Sequence, residues 1–342
     1  MVAERQHFSG AHLYPVDVIN VAIEACTDDR HSSFQFRRTS FLLVGIRKPL
    51  VFWKLQQPCQ FLFSESRRIW IFVTRLQFVV KRLTLQPRPD WQAKVAAVGL
   101  TFHTIDGATY WDESACYEFT AAEVDTLEAV GNELHARCIE AADAVIRNRW
   151  YDRLAIPPAA IPEIEASWER DDRSVYGRFD FAWDGEGAPK MLEYNADTPT
   201  ALLEASVVQW SWLQEMAPEN DQFNSIHERL IDAWRMYPAM KIHFAAVSDS
   251  EEDSQTALYL RDTCQQAGKD TESIAIEDVG FDTRMGIFVD ANERTIEALF
   301  KLYPWEWMWS ESFAEHLPTR CQRFVEPVWK MLLSNKGLLP IL

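Results

Sequence analysis

Two carboxylates and an amide, Asp180, Glu193 and Asn195, are the side chains of this sequence best suited to hold a cation. All three offer oxygen atoms, and proteins commonly hold Mg²⁺ through one or two carboxylates, with substrate phosphates among the remaining ligands. Carboxylates that face each other without a cation repel each other. The alternative interpretation is a sheet with one solvated face, on which these groups simply point into water.

The register of a predicted β-hairpin brings these groups together. Two short alternating runs, 178–183 and 190–195, flank a loop that contains Gly and Pro, which is typical of antiparallel strands joined by a turn. If Trp183 pairs with Lys190, the two carboxylates lie directly opposite each other and Arg178 lies opposite the amide. Cross-strand partners point to the same side of a sheet, so the sequence predicts a magnesium site on one face.

The distribution of charge divides the chain into two parts. Residues 1–85 carry 12 Lys and Arg against 6 Asp and Glu, whereas residues 86–342 carry 22 against 45. The acidic part argues against nucleic acid as a partner, because phosphate binding needs clustered Lys and Arg. It suits a cationic substrate such as a polyamine, although a generally acidic surface is the simpler explanation of the charge alone.

Residues 1–85 are predicted to form a basic, poorly structured extension, separate from a domain at 86–342. Their apolar residues come in irregular clumps that fit neither the helical nor the strand period. Three interpretations are open: an extra domain, a surface-binding extension, or translated upstream sequence foreign to the native protein. We favour the last of these, with a native start near Val80.

Cysteines and apolar runs indicate the compartment. The six cysteines are scattered, without a CxxC pair or zinc spacing, which is typical of a reducing, cytoplasmic location. No apolar run reaches the ~18 residues that a spanning helix needs, so we expect no membrane partner. The chain also lacks the P-loop, GxGxxG, HExxH and GxSxG motifs.

Beyond the extension, helical and strand patterns alternate. Thr120 and Glu123 form a capping-box match that opens a long amphipathic helix. The later succession of helices and short strands predicts an open α/β sheet, with ligands at the carboxyl ends of its strands. Further helices are predicted at about 90–98, 199–216, 224–236 and 251–268 and from Val328, and strands at 240–247 and near Ile274, Ile287 and Leu299.

The start of the helix predicted at 199–216 holds Asp197, Thr198 and Thr200. Free N–H groups and the helix dipole at such a start favour an anionic ligand. Equally, Asp197 or Thr198 could act only as the N-cap of the helix. Both interpretations stay open at this point.

The strings RFDF at 178–181 and LEYNADTPTALLEA at 192–205 resemble the glutathionylspermidine synthetase family of ATP-grasp ligases. The resemblance continues through FKLYPWEW at 300–307 to EPVWKMLLSNKGLLPIL at 326–342. It is strongest to stand-alone members that are provisionally described as acid–amine ligases. It implies that residues 86–342 form a pre-ATP-grasp-like α/β sheet domain with part of an ATP-grasp core.

By position, the resemblance implies that Asp180, Glu193 and Asn195 bind Mg²⁺. It also implies that Arg178 contacts a phosphate of ATP as the main catalytic residue, with Asp180 beside it in the nucleotide site. In the implied reaction, ATP phosphorylates a substrate carboxylate, and an amine then attacks the acyl phosphate to form an amide.

The resemblance also implies two small-molecule substrates, a glutathione-like peptide acid and a polyamine-like amine. Thr198 and Thr200 fall where family members carry serines that contact glutathione, and the added methyl groups indicate a different acid. Glu251 and Glu252 fall near the polyamine site.

The family's ATP clamp follows the segment that corresponds to 326–342, so we expect the isolated chain to have little or no catalytic activity. Two further hypotheses are open. One is a non-catalytic protein that binds Mg²⁺ or a polyamine, and the other is a metal-dependent hydrolase that uses the same carboxylates.

Overall fold

A computed structural model describes residues 16–22, 43–46, 80–318 and 323–342 of the chain, with side chains from residue 80 onwards. Most of the predicted extension therefore lies outside the described residues, apart from the residues of three strands and their immediate neighbours at 80–85. Cys26, Cys59 and Cys321 lie outside them as well, whereas the described cysteines are buried free thiols.

The predicted α/β fold is confirmed. Within the described residues, fourteen strands form five sheets. These strands are β1 (Val16–Ala22), β2 (Leu43–Ile46), β3 (Lys81–Thr84), β4 (Thr104–Ile105), β5 (Ala108–Thr109), β6 (Ala115–Thr120), β7 (Tyr176–Ala182), β8 (Lys190–Asn195), β9 (Lys241–Ala246), β10 (Asp270–Ala275), β11 (Gly280–Asp282), β12 (Ile287–Val289), β13 (Ala298–Leu302) and β14 (Arg323–Val325).

The α-helices of the described residues are α1 (Trp91–Ala97), α2 (Ala121–Asn148), α3 (Ile161–Glu169), α4 (Gln209–Met216), α5 (Ile226–Met236), α6 (Glu251–Gln266), α7 (Trp305–Met308) and α8 (Met331–Ser334). Helix α3 was not predicted. The predicted helices agree closely with α1, α2, α5 and α6, with two exceptions.

The exceptions are the helices predicted from Pro199 and from Val328. The first starts late because Ala201 has a φ of 69°, a left-handed conformation that a right-handed helix does not include. A π-helical turn at Glu204–Val208 then precedes α4. The second is only a 3₁₀ turn that leads into the four-residue α8.

Helix α2 begins as the capping box predicts. The Thr120 hydroxyl accepts a hydrogen bond from the Glu123 N–H, and the Glu123 carboxylate accepts one from the Thr120 N–H at 2.6 Å. The helix buries its predicted apolar face, which includes Leu127, Cys138 and Val145. None of the helices among the described residues combines the length and apolar character needed to cross a bilayer.

An open parallel sheet with the strand order β10-β9-β13-β14 is formed by strands from the C-terminal part of the described chain. All five residues of β13 and all but the first of β9 are buried, as expected for strands covered on both faces. Strand β9 has β10, the next strand in the chain, on one side and β13 on the other. The direction in which successive strands are added to the sheet therefore reverses between β9 and β13. Open α/β sheets generally bind ligands at such a switch point, beside the carboxyl ends of the two strands, which here are Ala246 and Leu302.

The hairpin sheet has the order β1-β7-β8. β1 runs parallel to β7, and β7 runs antiparallel to β8. Phe179 is buried and stacks on Tyr194 with ring centroids 4.0 Å apart. A Cβ atom on Gly177 would lie 2.6 Å from the Tyr194 ring, so this position of β7 requires glycine for the sheet to pack.

One detail of the predicted register is wrong. Ala182, and not Trp183, pairs with Lys190, because a β-bulge shifts the register after Asp180. Leu192 is the extra residue on β8, and its side chain is exposed. The pairs nearer the open end of the hairpin keep the predicted alignment.

A buried ion pair fastens the hairpin sheet to the chain segment after β14. The Lys330 ammonium donates to Glu326 at 2.8 Å and to the Tyr176 carbonyl at 2.5 Å. Glu326 accepts hydrogen bonds from the N–H groups of Val175 and Tyr176, each at 3.0 Å. Both charged side chains are at most 1% exposed, so every contact of the pair is made away from water.

His135 gives the fold a dependence on pH. Its ring lies 3.1 Å from the Tyr194 hydroxyl in the core, and burial, helped by Lys330, lowers the pKa of His135 from 6.5 to about 4. The imidazole of His135 binds a proton below about pH 6.5 in the unfolded chain, but only below about pH 4 in the folded protein. We therefore expect the free energy of unfolding to fall by up to about 3 kcal/mol across this window.

Urea unfolding of the wild type and of His135→Gln at pH 7 and pH 4.5 measures this contribution. The variant should lose less stability between the two pH values than the wild type does. His103→Gln, which removes another imidazole at a half-exposed position, is the comparison variant. An identical pH dependence in His135→Gln and wild type would contradict the assignment.

Candidate functional site

The hairpin places the two predicted carboxylates directly opposite each other. Asp180 of β7 pairs with Glu193 of β8, and Arg178 pairs with Asn195, as the sequence predicts. The Arg178 guanidinium donates to both oxygens of Asp180, at 2.8 and 3.2 Å. Burial raises the pKa of Asp180 above its ordinary value, with Glu193 adding to the rise and Arg178 opposing it.

Glu193 has a second cation beside it. Lys336, far along the chain in the segment after α8, places its ammonium 3.0 Å from one Glu193 oxygen, and Arg178 lies 3.9 Å from the other. Burial favours a higher pKa, but Lys336, a hydrogen bond with Asp180, and Arg178 hold the pKa of Glu193 below its ordinary value. Sequence reasoning missed Lys336, because nothing in the local pattern brings it to the hairpin.

Asn195 closes the loop that follows β8. Its Oδ1 accepts a long hydrogen bond from the Thr198 N–H and its Nδ2 donates to the Thr198 carbonyl, each at 3.4 Å. The amide therefore shares the face of the carboxylate pair and also orients the loop that carries Thr198.

The donor set is chemically suited to Mg²⁺. Among the described residues, no group of three or more His, Cys, Asp or Glu side chains could hold a metal ion. The hairpin face offers two carboxylates and one amide, and Mg²⁺ usually takes few protein ligands and completes its shell with water and phosphate oxygens. The two carboxyl groups influence each other's pKa, and a cation bound between them would offset their mutual repulsion when both are charged.

Asp197 is not the N-cap of the helix that follows its loop, because both of its carboxylate oxygens have partners elsewhere. It is 3% exposed and forms an ion pair with Lys301 at 2.6 Å, while its other oxygen accepts the Trp305 N–H at 2.9 Å. Lys301 also donates to the Tyr303 carbonyl at 3.0 Å. Burial lowers the pKa of Lys301, and Asp197 opposes that change. The pair fixes the loop 196–200 to the carboxyl end of β13.

Thr200 lies beside Arg178. The Arg178 guanidinium reaches the Thr200 carbonyl at 3.4 Å and its hydroxyl at 3.5 Å. The loop predicted to contact the acid substrate therefore lines the same site as the carboxylate pair. Helical backbone begins at Leu202, directly after this loop, and the anion site predicted at this helix start stays a prediction.

The first turn of α6 carries the other predicted substrate residues. Ser250 caps this helix by accepting the Asp253 N–H at 3.2 Å. Glu251 is exposed, whereas Glu252 is half-buried and interacts electrostatically with Glu204 of the π-helical turn. Glu204 in turn interacts with Arg178. Glu252 is thus related electrostatically to Arg178 through Glu204, whereas the assignment of Glu251 to the amine stays a prediction.

Comparison with known proteins gives the family. The sequence model of the glutathionylspermidine synthase preATP-grasp family matches residues 82–342. A Haemophilus influenzae protein provisionally named acid–amine ligase is 43% identical over 271 residues, which are 76% of this chain and 69% of that protein.

Two larger synthetases are also similar. The trypanothione synthetase of Crithidia fasciculata is 26% identical over 247 residues, covering 63% of this chain and 37% of that protein. The bifunctional glutathionylspermidine synthetase/amidase of Escherichia coli is 27% identical over 260 residues, covering 66% of this chain and 41% of that protein. The chain thus spans well under half the length of these two relatives. It belongs to the glutathionylspermidine synthase preATP-grasp family, and the similarity to the Haemophilus protein indicates an acid–amine ligase.

Proposed function

We propose that this protein contributes the metal and substrate face of a cytoplasmic, ATP- and Mg²⁺-dependent ligase that joins a carboxylic acid to an amine. The observation that carries the proposal is the opposed carboxylate pair, Asp180 and Glu193, flanked by two cations, Arg178 and Lys336. Carboxylates beside cations on one face suit a metal-bound phosphate, because the carboxylates hold the metal and the cations meet the phosphate oxygens.

Each residue of this face has a role in the proposal. Asp180 and Glu193 would hold Mg²⁺, with Asn195 as a third oxygen donor. When bound, Mg²⁺ and ATP supply phosphoryl transfer, which makes the acid reactive towards an amine. Arg178 is already fixed by Asp180 and offers a planar donor to a phosphate oxygen. Lys336 is exposed and offers a mobile ammonium group to the same anion.

Substrate binding is proposed for the loop and for α6. The hydroxyls of Thr198 and Thr200 would hydrogen-bond the acid, which we propose to be a glutathione-like peptide. Glu251 and Glu252 would attract a polyamine-like amine. Two relatives are named for glutathionylspermidine and trypanothione synthesis, which supports this class of substrates.

Amine-dependent ADP release tests the proposal. The full chain is incubated with ATP, Mg²⁺, glutathione and spermidine, and ADP is measured with and without the amine. We expect the activity of the isolated chain to be low, and the ADP release that does occur to need both substrates and to disappear when EDTA removes the metal; robust turnover would contradict the expectation of low activity. Spermidine or Mg²⁺ binding without ADP release would instead favour a non-catalytic binding protein, and metal-dependent hydrolysis without ATP would favour a hydrolase.

A further inference from the structure

Lys336 is held firmly at its backbone, whereas its side chain is solvated. The residue begins a 3₁₀ turn at Lys336–Leu338, just after α8. Asn335, which precedes it, accepts the Gly337 N–H at 2.8 Å and donates to the Leu154 carbonyl at 2.7 Å. The Lys336 side chain is nevertheless 75% exposed. The turn therefore presents an exposed ammonium group from a fixed position on the backbone.

The packing around Gly337 shows how tightly this turn is fastened. A Cβ atom on Gly337 would lie 2.9 Å from Oδ1 of Asn335 and 3.2 Å from the Arg153 carbonyl oxygen, so a larger residue does not fit without a shift. On the other side, the Ser334 hydroxyl accepts the Ala196 N–H at 3.0 Å, directly after the end of β8. These contacts hold the turn against the hairpin, within reach of the carboxylate pair.

The two carboxylates of the hairpin face are paired with different cations. Arg178 donates to both oxygens of Asp180, at 2.8 and 3.2 Å, and its side chain is only 12% exposed. The Lys336 ammonium lies 3.0 Å from Oε2 of Glu193, which is its only ion-pair partner among the described residues. An exposed ion pair with one contact contributes little free energy. Lys336 is therefore the cation that can leave this face most easily.

A divalent ion and the Lys336 ammonium would oppose each other on Glu193. Mg²⁺ on the hairpin face would be held through carboxylate oxygens of Asp180 and Glu193. An ammonium group at 3.0 Å from one of these oxygens repels such an ion, because both carry positive charge. Each cation thus weakens the binding of the other to the same carboxylate.

We propose that Lys336 is a positioning residue that competes with the metal ion, holding Glu193 until the ion binds and leaving it when the ion arrives. The inference rests on the proposed function for the metal site. Competition keeps the affinity for the ion alone low. The ammonium released from Glu193 is then free to meet a phosphate of the metal-bound nucleotide, so the same lysine favours the ion and the nucleotide arriving together.

Titration of the full chain with Mn²⁺ alone tests the inference, with the free ion measured by electron paramagnetic resonance. Lys336→Met removes the charge and keeps the apolar part of the side chain. We expect it to bind Mn²⁺ about three- to five-fold more tightly, the scale of an exposed ion pair. Lys336→Arg keeps the charge and should bind like the wild type. Lys190→Met removes an exposed lysine at the start of β8; as the matched control it should change the affinity less than two-fold.

The outcomes separate this inference from the proposed function. Mn²⁺ affinity of Lys336→Met that is weaker than wild type, or within two-fold of it, overturns the inference. Equal tightening in Lys190→Met also overturns it, because net charge would then be the cause. In a crystal structure with Mn²⁺, Nζ of Lys336 should lie more than about 4 Å from both Glu193 oxygens, and a retained ion pair would contradict the proposal. Absence of Mn²⁺ binding by the wild type overturns both proposals, whereas competition without ADP release overturns only the ligase proposal.

Discussion

Replacing Arg178 by alanine is expected to lower amine-dependent ADP release by about a thousand-fold, the scale on which an arginine that contacts a transferring phosphoryl group acts. The guanidinium is 12% exposed and is held by both oxygens of Asp180 and by the Thr200 loop, so its planar donor group is fixed in a way that the exposed Lys336 ammonium cannot reproduce. Arg178→Lys keeps the charge but loses the planar two-point contact, and we expect it to recover only part of the activity.

Two controls separate chemistry from folding in this experiment. Arg137→Ala removes an exposed arginine on α2 and should leave ADP release unchanged. Thermal unfolding of Arg178→Ala shows whether the uncompensated carboxylate pair destabilises the fold. If the folded Arg178→Ala protein retained activity within ten-fold of wild type, Arg178 would not be a phosphate contact.

Replacing Lys330 by methionine is expected to lower the free energy of unfolding by about 3–5 kcal/mol. The substitution leaves the Glu326 charge buried without its cation, while the N–H groups of Val175 and Tyr176 only partly compensate it. Urea unfolding at pH 7 measures the difference. Lys94→Met breaks a partly exposed pair with Glu215 and should have an effect of about 1 kcal/mol or less.

A double variant shows whether the isolated charge is the cause. Lys330→Met combined with Glu326→Gln removes both charges but keeps a carbonyl oxygen for the two N–H donors. We expect it to be clearly more stable than Lys330→Met alone, because replacing a whole buried pair is much less unfavourable than breaking it. If the double variant were as unstable as the single one, lost packing and not charge would account for the effect.

Local patterns predicted much of this molecule. The capping box at Thr120 and Glu123 marks the start of α2, because both side-chain bonds form within four residues. The alternation of the hairpin strands fixes which residues share a face, so Asp180 and Glu193 meet as expected. The bulge at Leu192 was missed, since one extra residue near the turn does not change the periodicity farther along either strand.

Contacts between distant segments could not be predicted in this way. Lys301 contacts Asp197, and Tyr110 contacts Glu204, only because segments about 100 residues apart in the sequence pack together (separations of 104 and 94 residues). The π-helical turn likewise depends on Ala201, a residue whose type gives no sign of a positive φ. The proposed metal ligands were therefore found from neighbouring strands, whereas Lys336 and Glu204 were found only in three dimensions.

The ion pair between Asp197 and Lys301 holds the loop at 196–200 in a fixed position against the parallel sheet. Asp197 holds β13 through its side chain and α7 through the Trp305 N–H, while Asn195 braces the loop from the hairpin side. In the proposed function an incoming acid would therefore meet a rigid loop, and the protein would lose little conformational entropy when the acid binds. Discrimination between acids would then depend on steric fit against the threonine methyl groups, and not on adaptation of the loop.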